Sequence, residues 1–433
     1  MGKTIVEKIL ARAASKNIVS PGELVDAEVD AIICHDVTTP PAIKMLEKKE
    51  IFGIKNPERI VVTPDHFIPN KDIKSAELNK ILLDWAKKNN LSHVFPLGCH
   101  GICHAIFPEQ GFASPGKIVI GADSHTCTAG AFGSFATGIG STDLAAAIAT
   151  GKLWFRVPET IRFNISGKFS PGVFAKDLIL EIIKKITVSG ALYKSMEFGG
   201  EGIKNLDMEE RMTICNMAIE AGGKCGIFET DQITEEFCQQ SRQNNPNLTP
   251  NFLGEIEKIS SDADANFEKI IEICLDEIEP IVAFPHLPDN GKKFSEINEM
   301  SEIKIDQIFL GSCTNGRFSD LEIAAKILKG KKIAKNVRMI VIPATTEIWK
   351  KCLQHGFFEI FSEAGAIIST PTCGACLGGH MGVLAAGEKC LSTTNRNFVG
   401  RMGDPKSQVF LSSPATAAAS AIYGKISDPR EFF

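Results

Sequence analysis

Short apolar runs alternate with helix-period segments through most of the chain. "KIVIG" (117–121) leads through a loop to "STDLAAAIATGKLW" (141–154), "VRMIVIP" (337–343) to "ATTEIWKKCLQ" (344–354), and "QVFLSS" (408–413) to "PATAAASAIYG" (414–424). "IDQIFLG" (305–311) and "AIIS" (366–369) are further runs of strand length. Continuous apolar strands followed by helices predict parallel sheets covered by helices on both faces. The expected fold class is α/β, with mostly parallel sheets. The start, "MGKTIVEKILARAASKN", carries Glu7 and Arg12 inside its apolar pattern. That pattern predicts an amphipathic helix, not the unbroken apolar centre of a signal peptide.

At 433 residues the chain exceeds what one core supports. The pattern shifts near 155 toward long helical segments. The polar "QQSRQNNPNLTPN" (239–251) reads as a loop, and "EIEPIVAFPHLPDNGKKF" (277–294) as a Pro-rich crossover. These marks divide the chain into three α/β domains, 1–154, 155–285 and 286–433. The glycine run "GAFGSFATGIGSTD" (130–143) lacks both the strand-then-GxGxxG context and a Walker lysine, so it is assigned to tight packing.

Composition narrows the partners. A formal net charge of -5 and 23% charged residues leave no basic face for a phosphate backbone, so no nucleic acid is expected. No stretch approaches the roughly 18 apolar residues of a membrane span, and a cytoplasmic protein is the expectation. Thirteen cysteines is a high number for a reducing compartment. Thiols stay reduced there, which points to buried free cysteines plus a subset used for metal or catalysis.

The pair Cys373 and Cys376 lies in "PTCGACLGGH", a glycine-rich loop better suited to ligation than to a thioredoxin-type dithiol at a helix start. No second Cys-x-x-Cys exists to complete a zinc ribbon. Cys313, in "IFLGSCTNGR", ends an apolar strand, and parallel α/β sheets gather ligands at the carboxyl ends of strands. Three thiolates without a fourth would hold an iron–sulfur cluster with one iron free of protein ligands. Buried cysteine is more often packing than ligand. Cys34, Cys127, Cys215, Cys225, Cys238, Cys274, Cys352 and Cys390 are left in that class.

Imidazoles and carboxylates recur after apolar runs: Asp65 and His66 in "VVTPDHF", Asp123, Ser124 and His125 in "KIVIGADSHTCTAG", His35 and Asp36 in "IICHDVTTP", and His104 in "GICH". A carboxylate beside an imidazole fixes its tautomer and raises its basicity, as acid–base work requires. His93, His286, His355 and His380 are assigned to structure. "STTNRNFVGRMG" groups Asn395, Arg396, Asn397 and Arg401, a ready site for carboxylates. Glu197 and Glu201 stand between glycines in "MEFGGEGI", placed to cap a helix or to support a histidine. From the residues alone, a non-catalytic module with a structural metal is the alternative reading.

The motifs "DHF.P" (65–69), "GICH" (101–104), "GADSHTCTAGAFGSFATGIGSTD" (121–143), "YKSMEFGGEGI" (193–203), "MEERMTICNMAIEAGGK" (208–224), "GSCTNGR" (311–317), "PTCGACLGGHMGVL" (371–384) and "TTNRNFVGRMG" (393–403) carry a resemblance over nearly the whole chain. The sequence resembles the aconitase superfamily, most closely its branch of isopropylmalate dehydratase and homoaconitase large subunits. That resemblance implies a [4Fe-4S] cluster, one per chain, on Cys313, Cys373 and Cys376. It implies active-site pairs of Asp65 with His66, Asp123 with His125 and His104 with Glu197, with Ser124 nearby. His35 falls where true aconitases have glutamine, and it is expected with Asn395, Arg396 and Arg401 around the substrate. The family's fourth, swivelling domain would follow the last residues here. The resemblance implies that a separate small subunit supplies it, as heterodimer or heterotetramer, together with the serine base. The implied reaction isomerises a hydroxy acid by dehydration and rehydration; isopropylmalate is favoured over homoaconitate, dimethylmalate or citramalate-type acids.

Overall fold

The computed structural model describes residues 2–296 and 302–433; residues 297–301, inside the third expected domain, lie outside the described residues. Three larger sheets organise the chain. The first has five parallel strands in the order His93–Val94, Ile60–Val62, Ala31–Cys34, Ile118–Gly121 and Phe135–Gly138. Its central strands Ala31–Cys34 and Ile118–Gly121 are buried at every position, as strands covered on both faces must be. The second is a four-stranded parallel sheet of Cys225–Phe228, Ser195–Gly199, Thr160–Ser166 and Lys269–Cys274.

The third sheet has seven strands in the order Gly291–Lys293, Ile281–Ala283, Gln408–Leu411, Lys389–Ser392, Gln307–Leu310, Arg338–Val341 and Ile367–Ile368. Ile281–Ala283 runs antiparallel to both of its neighbours, and the remaining pairs are parallel. The stretch expected as a Pro-rich crossover thus contains a short hairpin, because "IVA" is apolar enough to extend the sheet between prolines. We propose that the chain is built as three α/β units around these sheets. Strand Lys152–Arg156 crosses the 154/155 mark by pairing with Leu24–Glu28, and Ile281–Ala283 joins the third sheet from before 286.

Local signals act as expected at most element ends. Thr4 and Glu7 form a reciprocal capping box at the start of the helix Ile5–Ala13. Gly151 and Gly424 take the left-handed conformation that ends the helices Ser141–Thr150 and Pro414–Tyr423. The helix Gln232–Asn244 runs into the stretch expected as a loop; its glutamines and asparagines lie on the outer face while Cys238 and Ser241 turn inward. Among the described residues no helix is long and apolar enough to cross a membrane.

Contacts between units put their strand ends together. The main-chain N–H of Ile102 donates to the Ala344 carbonyl at 2.7 Å, and that of Thr346 to His100 at 3.0 Å, tying the first unit's loop to the third. Gly130 is pressed against the second sheet: a Cβ there would stand 1.7 Å from the Gly226 carbonyl oxygen. Only glycine fits, because backbone faces backbone and nothing flexible can yield. We predict that Gly130→Ala costs about 3 kcal/mol of stability by overpacking. Denaturant unfolding checks this, and a loss below about 0.5 kcal/mol, the level of a neutral surface change, would show that the two layers part freely.

Candidate functional site

The carboxyl ends of parallel strands from the first and third sheets converge. His35 follows Ala31–Cys34, Asp65 and His66 follow Ile60–Val62, and Asp123 to His125 follow Ile118–Gly121. Cys313 follows Gln307–Leu310, and Asn395 and Arg396 follow Lys389–Ser392. His104 stands in the first turn of the short helix Cys103–Glu109, which the tie at Ala344 holds beside Cys313.

Asp123 is the hub of the acid–base groups. Its Oδ1 accepts the His125 main-chain N–H at 2.7 Å and lies 3.0 Å from His104 Nε2, while Oδ2 is 3.6 Å from His66 Nε2. Burial opposes its charge, but the surrounding imidazoles, His104 foremost, hold the carboxyl well below its ordinary value. His104 is 4% exposed, and its nitrogens make no aligned hydrogen bond even though Asp123 is within ion-pair range. A buried imidazole with unsatisfied nitrogens beside a carboxylate is left for a ligand to complete.

His66 lies between two carboxylates. Its Nδ1 is 2.6 Å from Asp65 Oδ1, and Asp65 Oδ2 accepts the Cys103 N–H at 2.8 Å. Burial disfavours an imidazolium, yet Cys373, Asp65 and Asp123 outweigh it and hold His66 well above its usual pKa. The turn that carries this pair is gripped from below: the buried Asp36 carboxylate accepts the main-chain N–H groups of Asp65, His66 and Phe67 at 2.9, 3.0 and 3.1 Å. His35 stacks on His66 with ring centroids 4.4 Å apart. Val37 N–H donates to its Nδ1 at 3.3 Å and Nε2 lies 2.9 Å from Thr38 Oγ1, so both nitrogens are engaged locally. Burial and the neighbouring His66 charge lower its pKa. His35 therefore offers a neutral ring face, and not the free nitrogen expected of a substrate anchor.

Glu197 is not beside His104. Its carboxylate is taken by Arg162 at 2.8 Å and Ser261 at 2.6 Å. The expected pairing fails because Ser195–Gly199 is an interior strand of the second sheet, which turns Glu197 toward Arg162 on the adjacent strand. The carboxylate that does meet an imidazole is Glu220: Oε1 lies 2.8 Å from His125 Nε2, and Arg396 Nε donates to the same carboxylate at 2.9 Å. Arg396 also reaches Ser124 Oγ at 3.0 Å. Glu220 was hidden inside "MTICNMAIEAG", in the 3-10 turn Met217–Ala221 that follows the helix Met208–Asn216.

Cys313 and Cys376 are buried and Cys373 half-buried, and all are free thiols. Cys373 adjoins His66, and its main-chain N–H donates to the Asp65 carbonyl at 2.9 Å. Asn216 and Asn395 aim Nδ2 at Cys313 Sγ from 3.3 and 3.4 Å, and Arg401 Nη2 is 3.9 Å from Cys376 Sγ. Amide and guanidinium donors turned toward sulfur suit metal-bound thiolates. Among the described residues, the ligand atoms that gather within 4.8 Å of one another are those of His35, Asp36, Asp65 and His66, and the three sulfurs form no such group. Sulfurs on one tetrahedral ion with bonds of about 2.3 Å would sit roughly 3.8 Å apart. The three sulfurs face one site closely enough to act on one another, without the close approach that one shared ion imposes.

The aconitase family (aconitate hydratase) model matches residues 7–424. The chain is 55% identical over 428 residues to the 3-isopropylmalate dehydratase large subunit of Caldicellulosiruptor bescii, covering 99% of this chain and 97% of that one. It is 54% identical over 431 residues to the subunits of that name from Halothermothrix orenii, covering 100% of both chains, and from Moorella thermoacetica, covering 100% of this chain and 99% of the other. Among solved structures, Thermococcus kodakaraensis aconitase X in its holo-form aligns with a TM-score of 0.48 at 14% identity, over 87% of this chain and 85% of that one.

Burial raises the Glu220 pKa, but His125 and Arg396 more than compensate and hold it below its ordinary 4.5. A depressed carboxyl contributes stability above the unfolded pKa and loses it as pH falls through the folded one. We predict that Glu220→Gln, which leaves Arg396 and His125 without their buried partner, lowers stability by about 3 kcal/mol at neutral pH. The deficit should shrink as pH drops below 4.5. Unfolding curves across pH measure it, and a deficit constant with pH would contradict the pairing.

Proposed function

The chain belongs to the aconitase family, and from that premise we propose that it is the large, catalytic subunit of a 3-isopropylmalate dehydratase. This hydro-lyase would interconvert 2- and 3-isopropylmalate by loss and return of water. The relatives' names support the substrate. The observation that carries the mechanism is the seating of the His66 imidazole between two carboxylates, with Nδ1 2.6 Å from Asp65 and Nε2 3.6 Å from Asp123. Cys313, Cys373 and Cys376 would hold a [4Fe-4S] cluster, which when bound supplies a Lewis-acidic iron lacking a protein ligand.

The chain's own residues then do the following. Asp65 fixes the His66 proton on Nδ1, so the second imidazolium proton sits on Nε2, the nitrogen turned toward Asp123. That proton is delivered to the departing hydroxyl, which makes water the leaving group. Asp123 and Asp65 keep the imidazole cationic between turnovers. Arg396, oriented by Glu220, and Arg401 bind substrate carboxylates and offset the charge that grows when the adjacent C–H proton is lost. His104 and His125 complete the polar wall, and His35 supports His66 through its ring face. We assign the carbon base to a small-subunit partner, since Ser124 is already bound by Arg396. All thirteen cysteines are free, in keeping with a cytoplasmic setting.

We predict that anaerobically prepared protein is brown and that Cys376→Ser bleaches it. Mixed with a cognate small subunit, it should produce alkene absorbance from 2- and 3-isopropylmalate more readily than from homoaconitate or dimethylmalate. His66→Gln should lower kcat by roughly 10³-fold while leaving the brown colour, as loss of a general acid does. Full turnover by the large chain alone, or a colourless protein holding one zinc per chain, would overturn the reading.

A further inference from the structure

Lys176 is the second residue of the helix Ala175–Ile186 and is 1% exposed. A cation is disfavoured there twice over. Burial strips the ammonium of water, and the first turn of a helix presents its positive end. Nζ donates to Asn315 Oδ1 at 3.1 Å and to the carbonyls of Thr393 and Thr394 at 2.7 and 2.6 Å. These three acceptors match the three ammonium donors, but all are neutral. Among the described residues no carboxylate oxygen comes within the 4.0 Å of an ion pair.

The negative charge must come from further away. Burial lowers Lys176 itself to about 7 and pushes Asp320 and Asp177, which both act on it, up to about 7, so neither carboxyl is a firm anion that would hold the ammonium charged at neutral pH. Cys313 and Cys376 act on it as well; burial pushes the free Cys313 thiol up to about 12, so sulfur there carries firm negative charge only once it is ligated. The groups it grips point the same way. Asn315 lies two residues beyond Cys313, and the Thr393–Thr394 carbonyls precede Asn395, whose amide faces the Cys313 sulfur.

We propose that Lys176 is the buried counter-cation of the sulfur triangle. Its ammonium offsets the negative charge of the cysteine-held cluster and clamps the Cys313 loop to the loop of Asn395 and Arg396. The inference rests on the iron–sulfur reading above. It assigns Lys176 a positioning and electrostatic role without contact with the reacting atoms. A hydrogen-bonding clamp alone would need donors but no charge, and the two are separable.

Lys176→Met removes charge and donors; Lys176→Gln keeps an amide donor. Reconstituted anaerobically as full chains, both variants should release iron to a chelator roughly tenfold faster than the parent, the scale of an outer-shell change at a metal site. Both should show a more negative cluster potential, because a neighbouring cation favours the reduced state. The cluster-free Lys176→Met chain should resist denaturant as well as the cluster-free parent or better, since an uncompensated buried charge has been removed. Parental iron release and potential in both variants would overturn the proposal. So would an equal loss of stability with and without the cluster, the mark of a plain structural clamp. A parent chain that takes up no cluster at all would instead defeat the iron–sulfur reading, and it is recognised without any variant.

Discussion

An ionised carboxylate survives in a protein interior only where charge or hydrogen-bond donors surround it, and Asp123 meets that condition through the imidazoles of His66 and His104 and the main-chain N–H of His125. The arrangement is reciprocal, since the carboxylate also makes a buried imidazolium tolerable at His66. Much of the site follows from this balance. Asp65 supplies the second negative neighbour of His66, and Glu220 supplies the counter-charge for Arg396 and a partner for His125 Nε2. Most of these charged groups meet one of opposite sign and Asp36 meets three main-chain N–H groups, so the geometry is set before any ligand arrives.

Main chain, not side chain, does most of the positioning. Three N–H groups of the 65–67 turn end on one carboxylate, that of Asp36, and the turn cannot rotate without exposing all three. Ile102 and Thr346 fasten loops from different sheets to each other. Such ties explain how side chains from distant parts of the chain meet at distances near 3 Å. They also explain why the glycine-rich stretch from 130 is occupied by packing, with Gly130 against Gly226 and Gly138 against Asp123.

The strand ends were legible because parallel strands must be apolar throughout while the loops after them carry the polar groups; "KIVIGADSH" shows both in nine letters. The acid–base pairs at 65–66 and 123–125 were legible for the same reason. Glu197 and Glu220 were not, since a glutamate between glycines looks like a site and one inside a helical stretch does not. What separates them is a contact with Arg162, 35 residues away, against a contact with His125, 95 residues away. His35 shows the opposite limit: its nitrogens are engaged by Val37 and Thr38, close in the chain, but its burial and its stacking on His66 need the fold. The helix Gln232–Asn244 was obscured because a polar outer face resembles a loop when its inward residues are few.

The main-chain bond from Cys373 to Asp65, reinforced by Thr372 on the carbonyls of Asp65 and His66, joins the sulfur corner and the proposed proton donor into one mechanical piece. An oxidative lesion at that sulfur would drag the turn at 65–66 out of place together with the damaged loop. On the proposed roles, a copy injured in this way would lose its cluster corner and its acid together.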